Sequence, residues 1–389
     1  MTRILYFAHD LDDPAIWRRR AMLRAGGAEV DLVGFRRRQG PLPGQAHVIG
    51  RTRDARMGQR VGAVSRARIG LARRLRATER PDVILARNLE MLPLAVAAAR
   101  RFARPERPRV VYEVLDIHRL MLRRDPVGRT LRRAESFWLE RTDLVLVSSP
   151  GFRREYFAPV HPEGPPVHLV ENRVVTGEAA RMPAARPART APGAGRPLVL
   201  GWFGILRCAV SLRCLDAATR MMSGRVKVIL RGRPAADAIP DFDARVAANP
   251  DLDYRGAYAY PDDLPRIYGE VDLSWLVDRY DAGRNSDWLL PNRFYESGMS
   301  GVPPVALAGT EVGREMSRLG IGLLLDGTEP GAVARALSDV TPARLDRLRQ
   351  AQRAVSPSTW RSGTAEARSL VARLRGSGDV SAPAAEAPA

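Results

Sequence analysis

Short apolar segments alternate with amphipathic stretches along most of the chain. RILYFA (residues 3–8) and PDVILAR (81–87) have the length and apolar composition of buried strands, and VHLVENRV (167–174) is expected to be the last strand of the first half. Between them lie stretches with helical periodicity, such as PAIWRRRAMLRAGG (14–27), which ends in glycines. Strands that alternate with helices form parallel sheets covered by helices on both faces. The sequence therefore predicts an α/β protein with doubly wound parallel sheets.

The alternation is interrupted by one long segment rich in alanine, proline, arginine and glycine. This segment, VTGEAARMPAARPARTAPGAGR (175–196), lacks apolar periodicity, so we predict a linker. A chain of 389 residues is long enough for one domain on either side of it. The expected parts are a domain over 1–174, a second domain over 197–355, a helix over 356–375 that could cross back to the first domain, and a disordered tail over 376–389.

Arginine gives the chain a formal net charge of +19, and most of this charge is in the first half. Residues 1–175 hold 34 arginines against 19 acidic residues. A basic half can face nucleic acid, an anionic membrane surface or a phosphorylated acceptor. The basic amphipathic segment 56–80 could contact a membrane, although a solvated helix face also explains it. Nucleic acid is not an expected partner, because zinc-ligand spacings, helix-turn-helix signatures and clustered aromatic residues are lacking.

The sequence also constrains the compartment and the redox state. No apolar run is long enough to span a bilayer, and the start MTRILYFAHD lacks the pattern of a signal peptide. We therefore expect a cytoplasmic protein that could sit peripherally at the inner face of the cell membrane. Cys208 and Cys214 fit neither a metal-binding pair nor a disulfide framework, so we expect free, buried thiols.

The strongest functional signal is PNRFYESGMSGVPPVA (291–306), in which a basic residue, a glutamate and a Gly-x-Pro turn follow one another. The carboxylate of Glu296 can accept hydrogen bonds from two adjacent hydroxyl groups. Arg293 can donate two parallel hydrogen bonds to a phosphate. These side chains could therefore bind hydroxyl groups and a phosphate.

A second segment, GWFGILR (201–207), runs from a predicted strand through a glycine loop towards a predicted helix. Gly204 would let the backbone approach a pyrophosphate closely, and the following helix would point its positive end at it. Arg207 could then bind the phosphate oxygens.

Together these segments resemble the donor-binding domain of retaining GT-B glycosyltransferases, a family that includes bacterial exopolysaccharide transferases. The resemblance extends from Pro197 to about Asp339, and YPDDLPRIYGEVDLSWL (260–276) supports it structurally. It implies two Rossmann-like domains that face a cleft. It also implies a hexosyltransferase that uses a nucleotide-diphosphate sugar, with a UDP-sugar expected, and that retains the anomeric configuration. The acceptor would be a saccharide or a polyprenyl-linked saccharide in the synthesis of exopolysaccharide or another cell-surface polysaccharide.

The resemblance assigns donor binding to the second half of the chain. Glu296 would bind the ribose, while Arg207 and Arg293 would stabilise charge on the leaving diphosphate in place of a metal ion, so no metal and no cofactor are expected. The family usually has a second glutamate eight positions before the ribose one, where this chain has Trp288. Neighbouring polar groups could substitute for it. The expected donor-binding residues are Gly204, Arg207, Asn285, Ser286, Asp287, Asn292, Arg293 and Glu296.

In the first half, VVYEVLDIHR (110–119) ends a predicted strand where related enzymes place a histidine that contacts the sugar. Leu115 occupies that position, with Asp116 and His118 close behind. His118 could hydrogen-bond a sugar hydroxyl, and Asp116 could equally cap the following helix. The expected catalytic residues are His118, Asp116, Arg207 and Arg293.

Two other functions stay open from the sequence alone. The glutamate missing at position 288 and the displaced histidine fit a catalytically weak GT-B protein that binds a nucleotide sugar, or an epimerase-like enzyme. The high positive charge leaves a nucleic-acid-binding protein as the less favoured alternative. UDP-sugar binding without turnover would favour the first alternative, and salt-sensitive DNA binding would favour the second.

Overall fold

The computed structural model describes residues 1–52, 57–76, 78–175 and 196–377. The described chain divides into two compact units, each built around its own parallel sheet. Of these residues, unit 1 comprises 1–148, 153–170 and 363–377, and unit 2 comprises 149–152, 171–175 and 196–362. The linker predicted over 175–196 and the disordered tail predicted over 376–389 lie almost wholly outside the described residues.

Unit 1 contains a seven-stranded parallel sheet in the order β3-β2-β1-β4-β5-β6-β7. Its strands are β1 (Thr2–Ala8), β2 (Ala28–Arg36), β3 (His47–Arg51), β4 (Val83–Arg87), β5 (Arg109–Val114), β6 (Leu144–Val147) and β7 (Val167–Leu169). The central strands β1 and β4 are almost continuously buried, as expected for a parallel sheet with helices on both faces. The strand order reverses between β1 and β4, which is the doubly wound arrangement.

Unit 2 contains a six-stranded parallel sheet in the order β11-β10-β9-β12-β13-β14, and a two-stranded sheet of β15 and β8. The strands are β8 (Val174–Val175), β9 (Leu198–Leu206), β10 (Val226–Pro234), β11 (Leu252–Tyr254), β12 (Leu273–Trp275), β13 (Pro304–Leu307), β14 (Leu323–Leu325) and β15 (Arg361–Ser362). Alternate residues of β9 enter different cores, with Trp202 in one cluster and Phe203 in the other. The predicted fold class is therefore confirmed in both units.

The α-helices connect the strands in chain order. They are α1 (Pro14–Ala25), α2 (Met57–Ile69), α3 (Leu71–Arg74), α4 (Leu92–Arg101), α5 (Pro126–Leu139), α6 (Pro150–Phe152), α7 (Ala158–Val160), α8 (Ala209–Met222), α9 (Phe242–Ala247), α10 (Leu264–Gly269), α11 (Asn285–Trp288), α12 (Asn292–Met299), α13 (Glu311–Leu319), α14 (Pro330–Ser338), α15 (Pro342–Ala354) and α16 (Thr364–Arg375). Several begin with a strong local signal. Asp13 caps α1 by accepting a hydrogen bond from the Ala15 amide, and Pro14 occupies the first helical position.

Two predicted elements were wrong in detail. The helix expected over 56–80 is broken, because α2 ends at Ile69 and α3 begins only after Gly70, whose low helix propensity favours an interruption. Residues 56 and 77 of that region lie outside the described chain. The strand expected over 167–174 is two strands in different sheets: β7 pairs with β6, whereas the Val174 amide donates to the Trp360 carbonyl and β8 pairs with β15.

Candidate active site

Strands β9 and β12 lie side by side in unit 2, so their carboxyl ends share one edge of the sheet. β9 leads into α8, and the segment after β12 leads into α11 and then α12. Ligands of open α/β sheets bind beyond the carboxyl ends of the strands. Of the predicted donor-binding residues, Gly204 lies near the end of β9, Arg207 follows this strand, and the others lie in α11 and α12.

Gly204 lies near the end of β9 with a φ of +108°, a conformation that glycine adopts without steric cost. A Cβ at this position would meet no atom of the described residues within 4 Å, so the space beside the backbone is open. On its other side Gly204 faces Gly232 of β10, where a Cβ would overlap the Gly204 carbonyl oxygen. The backbone of this loop is therefore fixed by the neighbouring strand and accessible from the edge.

Arg293, in the first turn of α12, reaches across the ends of both strands. Its Nη1 donates to the Phe203 carbonyl at 3.3 Å, and its Nη2 donates to the Leu276 carbonyl at 3.4 Å. Its Nε is buried and has no hydrogen-bond partner among the described residues. A half-buried guanidinium beside the ends of two parallel strands is suited to binding an anion. The structure thus places Arg293 beside Phe203, the residue before Gly204.

Glu296 follows one turn later on α12 and is 4% exposed. One of its carboxylate oxygens accepts a hydrogen bond from the Tyr268 hydroxyl at 3.2 Å. Burial raises the pKa of Tyr268 well above its ordinary value, and the charge of Glu296 raises it further, so the phenol stays a donor. Because residues three apart on a helix are neighbours, Arg293 and Glu296 present opposite charges on the same face of α12.

Arg207, which follows β9, contacts the segment after β12. Its Nη2 lies 3.5 Å from Oδ2 of Asp278, and its guanidinium carbon lies 4.8 Å from the centre of the Tyr280 ring. Oδ1 of Asp278 accepts hydrogen bonds from the Tyr280 amide at 2.8 Å and from the Ser286 hydroxyl at 3.3 Å. The structure therefore links Arg207 to Ser286 through Asp278.

The polar residues of α11 are engaged within their own loop. Asn285 donates to Asp281 at 2.9 Å, while Asp287 accepts from Arg279 at 3.1 Å and from the Gly283 amide at 2.6 Å. Their assignment as substitutes for the glutamate missing at position 288 stays a prediction. Asn292 occupies the first position of α12 and is half-buried, and its donor-binding role also stays a prediction.

The carbonyl of Trp288 is packed closely in unit 2. It accepts a hydrogen bond from the Ser149 hydroxyl, and a Cβ on Gly151 would overlap it. This packing requires a residue without a side chain at position 151. It fixes the end of α11 against the segment that contains Ser149 and Gly151.

Asp116 and His118 belong to unit 1, where both are exposed in the segment after β5. His118 Nδ1 accepts a hydrogen bond from the Leu120 amide at 3.3 Å and caps a short 3-10 turn, Arg119–Leu122. The capping role that the sequence allowed for Asp116 is thus filled by His118. Their assignment to catalysis stays a prediction.

A buried charged network in unit 1 escaped the sequence analysis. Glu113 is 1% exposed and accepts hydrogen bonds from Tyr6 at 2.6 Å, from Nε of Arg19 at 2.5 Å and from Nη1 of Arg87 at 3.0 Å. Burial alone would raise the pKa of Glu113, but the charges of Arg87 and Arg19 lower it to about 2. The sequence feature that could have revealed this network is the glutamate inside the apolar run VVYEV, because a buried carboxylate needs cationic partners.

Cys208 and Cys214 are free and buried, which confirms the sequence prediction. In the ranges that the structure describes, no group of three or more His, Cys, Asp or Glu residues could hold a metal ion. The described helices include none that is long and apolar enough to cross a membrane.

Comparisons with known proteins define the family. No family model matches the chain. The succinoglycan biosynthesis protein ExoL of Rhizobium meliloti (strain 1021) is 44% identical over 380 residues, which cover 96% of this chain and 93% of that protein. This identity over nearly the full length of both proteins establishes common family membership.

Solved structures show the same fold at low sequence identity. Sucrose-phosphate synthase from Thermosynechococcus elongatus has a TM-score of 0.68 at 13% identity, covering 96% of this chain and 98% of that one. Anabaena HepE, solved in complex with UDP and glucose, has a TM-score of 0.67 at 16% identity, covering 97% and 100%. WaaG, a glycosyltransferase involved in lipopolysaccharide biosynthesis, has a TM-score of 0.62 at 11% identity, covering 95% and 99%.

The predicted GT-B fold and the predicted relation to proteins of bacterial exopolysaccharide biosynthesis are therefore confirmed. Retention of the anomeric configuration stays a prediction. Two doubly wound parallel sheets match the structures of glycosyltransferases, and the sequence matches a protein of exopolysaccharide biosynthesis. The chain belongs to the family of the succinoglycan biosynthesis protein ExoL and has the GT-B fold.

Proposed function

We propose that this protein transfers a hexose from a UDP-sugar to a saccharide acceptor, and that unit 2 binds the donor. The observation that carries the proposal is the position of Arg293 across the ends of β9 and β12, next to the open backbone at Gly204. Glu296 lies one turn further along the same helix. The complex of HepE with UDP and glucose, and the relation to a protein of succinoglycan biosynthesis, support this donor and this class of product.

The chemistry follows from the charges at this edge. The carboxylate of Glu296 accepts hydrogen bonds from the ribose hydroxyls of the donor. The guanidinium groups of Arg293 and Arg207 bind the diphosphate. As the bond between the sugar and the diphosphate breaks, negative charge grows on the leaving UDP, and these guanidinium groups stabilise it without a metal ion.

The acceptor is proposed to be a saccharide that can be linked to a polyprenyl lipid. Asp116 and His118 of unit 1 are exposed and are the candidates for contacts with the reacting sugars. The family resemblance implies that the anomeric configuration is retained, but the glutamate that the family usually has at position 288 is missing. The configuration of the product is therefore measured in the same assay.

The proposed donor site is tested by a transfer assay. Purified protein is given UDP-sugars, membrane extract that contains lipid-linked saccharides, and EDTA in one arm, and the product configuration is read by NMR. We expect transfer that survives EDTA and falls at least about tenfold in Arg293→Ala and Glu296→Ala, since each loses contacts to the leaving group. Arg318→Ala, which alters an exposed arginine on α13, serves as the matched control.

Three results would contradict the proposal. Unchanged turnover in both variants would mean that the donor does not bind at this edge of the sheet. Complete loss of turnover with EDTA, restored by a divalent metal, would overturn the metal-independent mechanism. Tight UDP-sugar binding without transfer to any acceptor would favour the catalytically weak alternative.

We also propose that an anionic membrane surface is a peripheral partner of unit 1. Residues 57–76 contain no acidic residue, and the side chains of Arg66, Arg68 and Arg73 are exposed next to Ile69, which is 87% exposed. Arginines attract anionic head groups, and an exposed isoleucine can insert among them.

Vesicle sedimentation tests this contact. Binding should require phosphatidylglycerol and should weaken in Arg68→Gln/Arg73→Gln, but not in Arg318→Gln/Arg335→Gln, which removes the same charge from unit 2. Equal binding to neutral vesicles, or equal loss in both double variants, would contradict it.

A further inference from the structure

The segment after β12 surrounds the guanidinium of Arg207 from two directions. Oδ2 of Asp278 lies 3.5 Å from Nη2, and the ring of Tyr280 lies 4.8 Å from the guanidinium carbon. The Arg207 side chain is 32% exposed and that of Asp278 is 12% exposed, so water screens this pair only in part. An aromatic face and a carboxylate both attract a guanidinium, and together they restrict its orientation.

Asp278 is itself held in place. Its Oδ1 is occupied by the Tyr280 amide and the Ser286 hydroxyl, which leaves Oδ2 directed at Arg207. The same segment is tied to the start of α8, because the Arg279 amide donates to the sulfur of Cys208 at 3.1 Å. The contact between Arg207 and Asp278 thus joins two backbone segments that are already fixed to each other.

We propose that Asp278 and Tyr280 are positioning residues that hold Arg207 ready for the diphosphate of the donor. The inference rests on the proposed function of Arg207 and names residues that the sequence analysis did not consider. An arginine side chain that moves freely loses conformational entropy when it binds the donor. The side chain of Arg207 has lost part of this entropy before binding, so donor binding costs less free energy. Asp278 acts only through Arg207 and makes no contact of its own with the donor.

Two other roles for Asp278 predict different results. A carboxylate that competes with phosphate for Arg207 would weaken donor binding, so its removal would tighten UDP binding. If the carboxylate binds the transferred sugar, its removal would weaken the binding of UDP-sugar but not the binding of UDP. A positioning carboxylate supports the binding of both ligands equally, and only while Arg207 is present.

A double-mutant cycle separates these roles. UDP and UDP-glucose dissociation constants are measured by calorimetry for wild type, Asp278→Asn, Arg207→Ala and the double variant. Asparagine can still accept from the Tyr280 amide, so this change removes the charge and keeps the loop contact. We expect Asp278→Asn to weaken the binding of both ligands about three- to tenfold when Arg207 is present. In the Arg207→Ala background, the same change should leave both dissociation constants unaltered.

Matched variants distinguish a loss of positioning from a folding defect. Tyr280→Phe keeps the ring and should bind as wild type does, whereas Tyr280→Leu should weaken UDP binding. Asp253→Asn, an exposed residue in β11, should change nothing. Melting temperatures of all variants should match within error.

Tighter UDP binding in Asp278→Asn, an effect confined to UDP-glucose, or an unchanged effect in the Arg207→Ala background would each overturn the inference. The proposed function has its own test in Arg293→Ala and Glu296→Ala. If those two variants lose UDP affinity and Arg207→Ala does not, the donor site stands and the positioning role falls.

Discussion

Glu113 shows how one buried residue can organise the edge of a sheet. Its carboxylate accepts hydrogen bonds from Tyr6, Arg19 and Arg87, on two strands and a helix of unit 1. Arg19 and Arg87 are themselves almost fully buried. Removing the carboxylate charge would therefore leave two cationic groups without their counterion in a region of low dielectric.

We predict that Glu113→Gln lowers the free energy of unfolding by about 3–5 kcal/mol, the usual cost of breaking a buried ion pair. Urea unfolding at neutral pH measures it. Glu140→Gln, at an exposed side chain, is the control and should cost little. Similar unfolding midpoints for the two variants would contradict the network.

The same residue predicts a pH dependence. The folded-state pKa of Glu113, about 2, is below its ordinary value of 4.5, so its stabilising effect is complete above that value and is lost as the pH falls towards 2. Stability measured between pH 5 and pH 3 should fall more steeply in wild type than in Glu113→Gln. Parallel curves would mean that the carboxylate is not preferentially ionised in the folded protein.

At the residue scale, the sequence predicted candidate donor-binding residues where the spacing carried information, and their role stays a prediction. Arg293, Glu296 and Gly204 belong to segments whose order and spacing were informative, and the structure places Arg293 beside the Gly204 loop. Asp278 and Tyr280 could not be predicted, because their role depends on a contact with Arg207 some seventy residues earlier in the chain. Such a contact becomes visible only when the strand order is known.

At the scale of elements, α12 depends on close packing against the segment before β15. A Cβ on Gly298 would overlap the indole ring of Trp360, whose side chain also packs on Phe294. Both aromatic residues are almost fully buried, so neither can move aside easily.

We predict that Gly298→Ala destabilises unit 2 by about 1–3 kcal/mol, as overpacking a core does. Gly309→Ala is the control, since a Cβ there would meet no described atom within 4 Å. Thermal unfolding of both variants makes the comparison. Equal melting temperatures for the two variants would show that α12 can shift away from Trp360 without a loss of stability.

Strand β7 and helix α16 predict a second pH effect. Burial and, to a smaller extent, the positive charge of Arg373 on α16 together lower the pKa of His168 from its ordinary value of 6.5 to about 4. The unfolded chain therefore takes up a proton more readily than the folded one between these values, and stability falls as the pH drops from 6.5 to 4.

Replacing His168 with Gln should remove this part of the pH dependence. Arg373→Ala should raise the pKa of His168, as measured by NMR titration. A histidine that titrates at its ordinary value in wild type would contradict the packing of β7.

Elements were predicted best where the local pattern was strong. The glycines after α1 and the apolar run of β4 marked these elements clearly. The division between β7 and β8 could not be predicted, because it depends on pairing with β15 near the other end of the chain. The polar helix α11 was also missed, since it is short and is held by loop contacts rather than by an apolar face.

At the scale of the whole molecule, the two units differ in charge as well as in residues. The first half holds most of the positive charge, and the proposed membrane contact belongs to it. The proposed donor site belongs to unit 2. Increasing salt should therefore weaken vesicle binding strongly and UDP binding less, because exposed arginines are screened more than the half-buried Arg293.

The central claim is that Arg293 and Glu296 bind the nucleotide part of the donor, and calorimetric titration with UDP tests it most directly. Wild type should bind UDP, while Arg293→Ala and Glu296→Ala should each lose at least about tenfold in affinity, equivalent to about 1.4 kcal/mol, with unchanged melting temperatures. UDP affinities in both variants equal to that of wild type would contradict the account.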